Sequence, residues 1–348
     1  MPGNPKGVAN MKDKYAAKRS LPKTEVPGAG AAKTEKICVE EHWMPRTTKA
    51  PALARSVNPA EMPHAVAGLT DFERRIPLMD ECGIRMQVLG PAGIPLFKDK
   101  REAVALTKKI NDDLAEIVRK YKGRFAGYAT LPIEDPKAAA SELERAVTQL
   151  GFKGAMVCGA TNGEYLDERK FWPIWERAGG LGVPIYVHPF EPPAETTKLY
   201  EGHPELMGPG WSWTVDTATH ALRVIGAGVF DAFPGAILML GHMGETLPYV
   251  LARLDEGYSM AFKNRKLKKL LSEYIRENII VTTSGKYRPE TLVCAISAMG
   301  IDRVLFAADY PMFAPGESVR QVENTPLTDT DKEKIYHRNA KRWLKLEE

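Results

Sequence analysis

The sequence lacks any apolar run long enough to cross a membrane, because no stretch approaches the roughly 18 residues that a spanning helix needs. The N-terminus also lacks the apolar core of a secretory signal peptide. The four cysteines, Cys38, Cys82, Cys158 and Cys294, are widely spaced and lie in or beside apolar runs. This spacing argues against a disulfide framework or a zinc ribbon and favours reduced, buried thiols. These absences predict a cytosolic protein with no membrane partner.

A basic surface for nucleic acid is also lacking. The formal net charge is +4, but residues 1–36 contain eight Lys or Arg and three Asp or Glu, which leaves −1 for the rest of the chain. This leader has too little apolar material to fold alone. We therefore expect a flexible basic leader over residues 1–35, one folded domain over residues 36–348, and no nucleic-acid partner.

Apolar runs alternate with helical patterns through the predicted domain. The predicted strands are Ile37–His42, Ile84–Leu89, Phe125–Leu131, Ala155–Gly159, Val183–Pro189, Ala236–His242, Ile279–Thr283 and Val304–Asp309. The stretch after the third strand shows the helical signals most clearly, since Asp135 suits a cap and Pro136 the first helical position. Eight strand–helix repeats predict an α/β fold, a (βα)₈ barrel. The rival, a doubly wound open sheet, usually has a Gly-rich nucleotide loop after its first strand, where this chain has Glu40-Glu41-His42.

Two connections are long, residues 43–69 and residues 190–216. Loops of this length in a compact domain are usually functional or disordered. The second contains Trp211 and Trp213 among several glycines. It fits a lid or an aromatic pocket wall, and equally a plain surface loop.

Metal-binding or proton-carrying side chains end four of the predicted strands. Glu40 and His42 alternate on the first strand and so share a face, although polar residues often alternate on half-exposed strands. His188 ends the fifth strand, where a buried core histidine is the alternative. Asp309 follows five apolar residues and is costly to bury without a cation or a hydrogen-bond partner. Oxygen and imidazole ligands gathered at one barrel mouth predict a site for one divalent metal, Zn²⁺ or Mn²⁺.

His242 ends the sixth strand, within the sequence Gly241-His242-Met243-Gly244-Glu245. The glycines allow a sharp turn and a close approach to a ligand. Glu245 is near enough in sequence to orient the imidazole and raise its basicity. The other histidines, His64, His203, His220 and His337, are expected to be background, with His220 the strongest exception because it follows the long fifth loop.

Together these motifs resemble the amidohydrolase superfamily, and within it the non-oxidative aromatic acid decarboxylases related to γ-resorcylate, 2,3-dihydroxybenzoate and 5-carboxyvanillate decarboxylases. The resemblance runs from about Lys36 to the C-terminus. Its motifs are Glu-Glu-His, Tyr-Val-His-Pro, Gly-His-Met-Gly-Glu-Thr-Leu-Pro and Ala-Asp-Tyr-Pro. It implies that Glu40, His42, His188 and Asp309 bind the metal, that His242 is the catalytic histidine with Glu245 as its partner, and that His242 or Asp309 delivers the proton.

The resemblance also implies residues that bind the substrate. Arg253 matches an arginine that reaches the substrate carboxylate, in some members across a subunit boundary, which implies a homodimer or homotetramer. Arg75 matches a second carboxylate-binding arginine. Cys158 and Met312 stand where relatives have asparagine and phenylalanine, so the pocket around the ring substituents is expected to differ.

The sequence thus predicts a metal-dependent decarboxylase of a small hydroxylated aromatic acid. One alternative is a hydrolase of an amide or lactone on the same metal, although the first strand has no His-x-His pair and no bridging lysine is evident. The other is a barrel that has lost catalysis and serves in binding or assembly.

Overall fold

The computed structural model describes residues 34–45, 63–93, 97, 99–261 and 267–347. The predicted leader lies outside these residues except for its last two, and so does most of the first long connection. The limits predicted for the leader and the domain therefore stay predictions. No helix in the described part of the chain is both long and apolar enough to cross a bilayer. All four cysteines are free thiols, three of them buried, and the cytosolic location remains a prediction.

Eight parallel strands form the centre of the fold. They are β1 (Lys36–Trp43), β2 (Ile84–Pro91), β3 (Phe125–Gly127), β4 (Ala155–Cys158), β5 (Pro184–His188), β6 (Ile237–Leu240), β7 (Ile279–Thr282) and β8 (Val304–Leu305). Pairing runs from β1 to β3 and from β4 to β8. Parallel bridges from Ala129 to Ala155 and from Glu41 to Tyr310 join the two sheets at both edges. The strands therefore form the predicted barrel.

Helices follow the strands and pack around them. They are α1 (Pro63–Thr70), α2 (Phe72–Glu81), α3 (Lys100–Lys120), α4 (Pro136–Thr148), α5 (Trp172–Leu181), α6 (Ala194–Thr197), α7 (Ser212–Gly226), α8 (Val229–Ala232), α9 (Leu247–Ala261), α10 (Leu271–Asn278), α11 (Pro289–Met299), α12 (Pro315–Asn324), α13 (Asp329–Glu333) and α14 (Asn339–Leu344). Asp135 caps α4 by accepting from the amide of Ala138 at 3.1 Å, and Pro136 takes the first position, as predicted. The second long connection contains α6 and three short 3₁₀ turns before α7 begins.

The barrel interior is filled with side chains and covered at the amino ends of its strands. The inner cluster comprises Ile37, Val39, Val88, Ala126, Tyr128, Met156, Tyr186, Met239, Ile280, Leu305 and Ala307, with Ala340 and Leu344 of α14. Next to α14, the Lys345 ammonium donates to the carbonyl of Leu181, just before β5, at 2.8 Å. The C-terminal segment therefore closes the end of the barrel opposite the mouth.

A β-bulge in β1 directs two successive side chains towards the barrel axis. Cys38 pairs with Gln87 and Glu41 pairs with Leu89, so β1 advances three residues where β2 advances two. Val39 belongs to the inner apolar cluster. The next side chain, Glu40, also lies inside, where its carboxylate is fully buried. The bulge thus changes an apolar lining into a polar one at the mouth.

Candidate active site

Four side chains converge at the carboxyl ends of β1, β5 and β8. One potential ligand atom each from Glu40, His42, His188 and Asp309 lies within 4.8 Å of the others. His42 Nε2 is 3.0 Å from Asp309 Oδ1, and His188 Nε2 is 3.5 Å from Glu40 Oε1. These four atoms are buried, and none has a hydrogen-bond partner among the described residues. Buried polar atoms without partners are rare, and a divalent cation bound by all four would satisfy them. The donor set therefore fits a metal.

Two hydroxyl groups hold the carboxylate oxygen of Glu40 that does not face the other three ligand atoms. Glu40 Oε2 accepts from Thr282 Oγ1 at 2.6 Å and from Ser284 Oγ. Both hydroxyls come from β7 and the residues just after it. Such bonds fix the orientation of a metal-binding carboxylate and leave Oε1 facing the other three ligands.

Main-chain carbonyls orient the two ligand imidazoles. His42 Nδ1 is 3.2 Å from the Pro91 carbonyl oxygen, and His188 Nδ1 is 2.8 Å from that of Pro189. A carbonyl only accepts, so each Nδ1 donates and each Nε2 keeps its lone pair when the ring is neutral. Burial, and then the neighbouring His42, lower the pKa of His188 well below its usual value. A neutral imidazole is the form that binds a metal.

His242 lies beside the four ligand atoms on a backbone that few residues adopt. Four consecutive residues, from His242 to Glu245, have φ between 52° and 73°, a left-handed conformation that is costly outside glycine. His242 Nδ1 is 2.9 Å from Glu245 Oε1, and its Nε2 is 3.7 Å from both Glu40 Oε1 and Asp309 Oδ2. The strained turn thus places one ring nitrogen against Glu245 and the other towards the metal cluster.

Carboxylates around the His242 ring favour its protonated form. Burial lowers the pKa, but the carboxylates of Glu40, Glu245 and Asp309 raise it well above the usual histidine value. Glu245 is held in turn, since its Oε2 accepts from Thr214 Oγ1 of α7 at 2.7 Å. The pKa of Asp309 shifts in the opposite direction. Despite burial, the neighbouring His242 and His42 rings hold its pKa below the usual range.

Two glycines allow the close packing around this site. A Cβ on Gly241 would lie 2.7 Å from Glu40 Oε1. A Cβ on Gly285, where φ is +69°, would lie 2.3 Å from the His242 ring. Gly241 was expected at the site from the sequence, whereas Gly285, Ser284 and Thr282 were not. Their signal was present as a polar Thr-Thr-Ser-Gly run directly after the apolar part of β7.

Two of the four residues predicted to bind substrate lie next to the metal cluster. Cys158 ends β4, is buried, and pairs with His188 across the β4–β5 ladder. Met312 is half-buried, and its amide donates to the carbonyl of Asp309 at 2.9 Å. Arg253 instead lies on an exposed part of α9.

Arg75, which was predicted to bind the substrate carboxylate, makes its hydrogen bonds within the protein in this structure. Its side chain is 1% exposed, and all three of its guanidinium nitrogens donate within the protein. The acceptors are the carbonyl of Gly68 at 3.0 Å, Gln87 Oε1 at 3.3 Å and the carbonyl of His42. Arg75 therefore supports the backbone that carries His42.

The background histidines lie apart from the metal cluster. His220 of α7 is buried and accepts from the amide of Leu166 at 2.9 Å. His203 is exposed and pairs with Glu205, and His337 lies in a π-helical turn before α14. The side chain of His64 lies outside the described residues.

Comparisons with known proteins agree with this geometry. A family model described as "Amidohydrolase" matches residues 50–346, which leaves Glu40 and His42 just before the match. A γ-resorcylate decarboxylase of a Polaromonas species is 39% identical over 89% of this chain and 98% of its own. A solved dihydroxybenzoic acid decarboxylase of Polaromonas with bound manganese and 2-nitroresorcinol is 38% identical, covering 90% of this chain and 97% of its own with a TM-score of 0.83. A 5-carboxyvanillate decarboxylase of Novosphingobium aromaticivorans, also with manganese, is 31% identical, covering 93% and 99% with a TM-score of 0.84.

Proposed function

The chain belongs to the amidohydrolase family, and from that premise we propose that it is a manganese-dependent, non-oxidative decarboxylase of hydroxylated aromatic carboxylic acids. The observation that carries the proposal is the set of four buried ligand atoms without partners, with the His242–Glu245 pair beside it. The relatives named for decarboxylation of hydroxybenzoates span almost the whole folded part of this chain.

Glu40, His42, His188 and Asp309 would bind the metal. Two carboxylates and two imidazoles suit Mn²⁺ or Zn²⁺, and we choose Mn²⁺ because the solved relatives contain it. A bound divalent cation would supply a Lewis acid for the substrate carboxylate and an ortho hydroxyl oxygen.

The protein's own residues would deliver the proton. In its protonated form, which the surrounding carboxylates favour, His242 donates from Nδ1 to Glu245 and carries a second proton on Nε2, which lies 3.7 Å from Asp309 Oδ2. We assign proton delivery to this His242–Asp309 pair. A proton transferred to the carboxylate-bearing ring carbon forms a C–H bond. The bond from that carbon to the carboxylate then breaks, its electrons restore the aromatic ring, and CO₂ leaves.

Arg253 is proposed to complete the site of a neighbouring subunit in a homodimer or homotetramer. Tyr249, Arg253, Glu256 and Met260 share one face of α9, since they are three or four residues apart. Tyr249 is 86% exposed and Met260 is 79% exposed. Large apolar side chains exposed beside an arginine are typical of a subunit interface.

The proposal is tested with the manganese-loaded protein and a panel of 2-hydroxybenzoates, including 2,6-dihydroxybenzoate. Release of CO₂ and formation of the matching phenol are the expected results, and the variant His242→Asn is the control. No CO₂ from any acid in the panel, with the metal bound at one equivalent, would refute decarboxylation. Cleavage of amides or lactones under the same conditions would favour the hydrolase instead. Cys158 and Met312 are proposed to decide which acids in the panel react.

A further inference from the structure

A small cavity lies in the wall of the barrel mouth, between the ends of β2, β3 and β4. Its volume is about 30 Å³, and its lining includes Pro91, Thr130, Glu134, Met156, Cys158 and Thr161. A cavity of this size has room for one water molecule or for one small group such as a hydroxyl. It is far too small for an aromatic acid, so any organic occupant must be a single substituent of a larger molecule.

Two of the residues that line the cavity are neighbours of the imidazoles at the metal cluster. The carbonyl of Pro91 accepts from His42 Nδ1 at 3.2 Å. Cys158 pairs with His188 across the β4–β5 ladder. A ring held at the metal cluster would therefore have this wall beside it, with Cys158 at the boundary.

Glu134 supplies the cavity's charged group. It lies in the turn between β3 and α4, next to the capping residue Asp135. Its Oε2 is buried and has no hydrogen-bond partner among the described residues. Burial raises the pKa of the carboxyl above its usual value. A buried carboxylate oxygen without a donor is unfavourable, so its place in a cavity wall calls for an occupant that donates.

The wall that carries Glu134 is firmly held. The amide of Thr130 donates to Asn111 Oδ1 at 2.9 Å, and Asn111 Nδ2 donates back to the Thr130 carbonyl at 3.0 Å. Asn111 Nδ2 also donates to Glu142 Oε1 of α4 at 2.7 Å. This network fixes the end of β3 against α3 and α4. A pre-organised acceptor discriminates between ligands better than a mobile one.

We propose that this cavity is a substituent subsite, in which Glu134 accepts a hydrogen bond from a second hydroxyl group on the aromatic ring of the substrate. The inference rests on the proposed function and assigns to Glu134 the recognition of a ring hydroxyl other than the one beside the carboxylate. The same carboxylate disfavours a second carboxylate at that ring position, because like charges repel in a poorly solvated pocket.

The test compares the wild-type enzyme with Glu134→Met, which keeps the length of the side chain and removes the acceptor. For each of 2,3-, 2,4-, 2,5- and 2,6-dihydroxybenzoate, kcat/KM is divided by the value for 2-hydroxybenzoate. For at least one isomer, we expect this ratio to fall about tenfold to a hundredfold in Glu134→Met, as for loss of a hydrogen bond to a charged group. Glu134→Gln should retain much of the ratio, because its amide oxygen still accepts. Glu116→Met, the same change on an exposed position of α3, is the matched control.

A readout that needs no turnover separates this inference from the proposed function. Binding of 2-nitroresorcinol and 2-nitrophenol to the manganese-loaded protein is measured by calorimetry for both Glu134 variants. If no acid is decarboxylated but the preference for the second hydroxyl depends on Glu134, the reaction is wrong and the subsite stands. If acids are decarboxylated and no ratio changes more than about threefold in Glu134→Met, with unchanged binding preference, the cavity contains only a structural water and the subsite is overturned.

Discussion

The metal site gives a prediction that requires no substrate: Mn²⁺ should stabilise the fold, and the gain should depend on His188. A ligand that binds only the folded state adds about 2.7 kcal/mol at one hundred times its Kd. For a domain of about 310 residues, the entropy of unfolding is about 0.65 kcal/mol per kelvin near the melting temperature. The expected increase in Tm between chelated and manganese-saturated protein is therefore about 4 °C, measured by differential scanning calorimetry.

Two alanine variants make the measurement specific. His188→Ala removes one of the four unpartnered atoms and should abolish the increase, whatever its own starting Tm. His203→Ala removes an exposed histidine, paired only with a surface glutamate, and should keep the increase. If His188→Ala bound one equivalent of manganese with the same increase in Tm, the assignment of the ligand set would be refuted.

Three further predictions concern other residues. His242→Asn should lower kcat by about 10²–10⁴-fold with metal content unchanged by elemental analysis, because His242 is not one of the four ligands; loss of the metal would contradict this. Arg253→Met should raise KM for the acid about tenfold with little change in Tm, because a charge-assisted bond to carboxylate is lost; an unaltered KM would mean that Arg253 takes no part in substrate binding. Burial lowers the pKa of His220 to about 3, against about 6.5 in the unfolded chain. Unfolding therefore takes up a proton between these values, so stability falls as pH drops from about 6.5 towards 3. His220→Gln, which can still accept from Leu166, should flatten that decline in urea titrations, and an equal slope in both proteins would refute the argument.

The strand ends were predictable because they depend on local patterns. Apolar runs that stop at a charged or imidazole side chain predicted the four ligand positions, and the structure brings them together. The same reasoning predicted His242 beside Glu245, which lie 2.9 Å apart. In a barrel of parallel strands, all the carboxyl ends lie at the same mouth. The strand that a residue ends therefore indicates where its side chain lies in the site.

Partners contributed by distant segments could not be predicted in this way. Arg75 is far in sequence from the carbonyl of His42 that it binds, and only the packed structure shows that its donors are occupied. Thr214 reaches Glu245 from α7, a helix whose angle the sequence does not specify. The bulge at Val39 and Glu40 likewise breaks the simple alternation of β1, since it depends on pairing with β2. Each of these features arises from tertiary contacts rather than from local preference.

The C-terminal segment closes the end of the barrel opposite the mouth, and this limits how substrate enters and how products leave. Ala340 and Leu344 of α14 pack against the inner cluster, and among the described residues they leave the interior no second exit through the amino ends of the strands. Substrate, phenol and CO₂ must therefore all pass through the mouth of the barrel. A phenol that leaves slowly would give CO₂ time to react with the ring again, which lowers the net rate of decarboxylation. Substitutions that widen the mouth should speed both the entry of substrate and the release of products, without changing the chemistry at the metal.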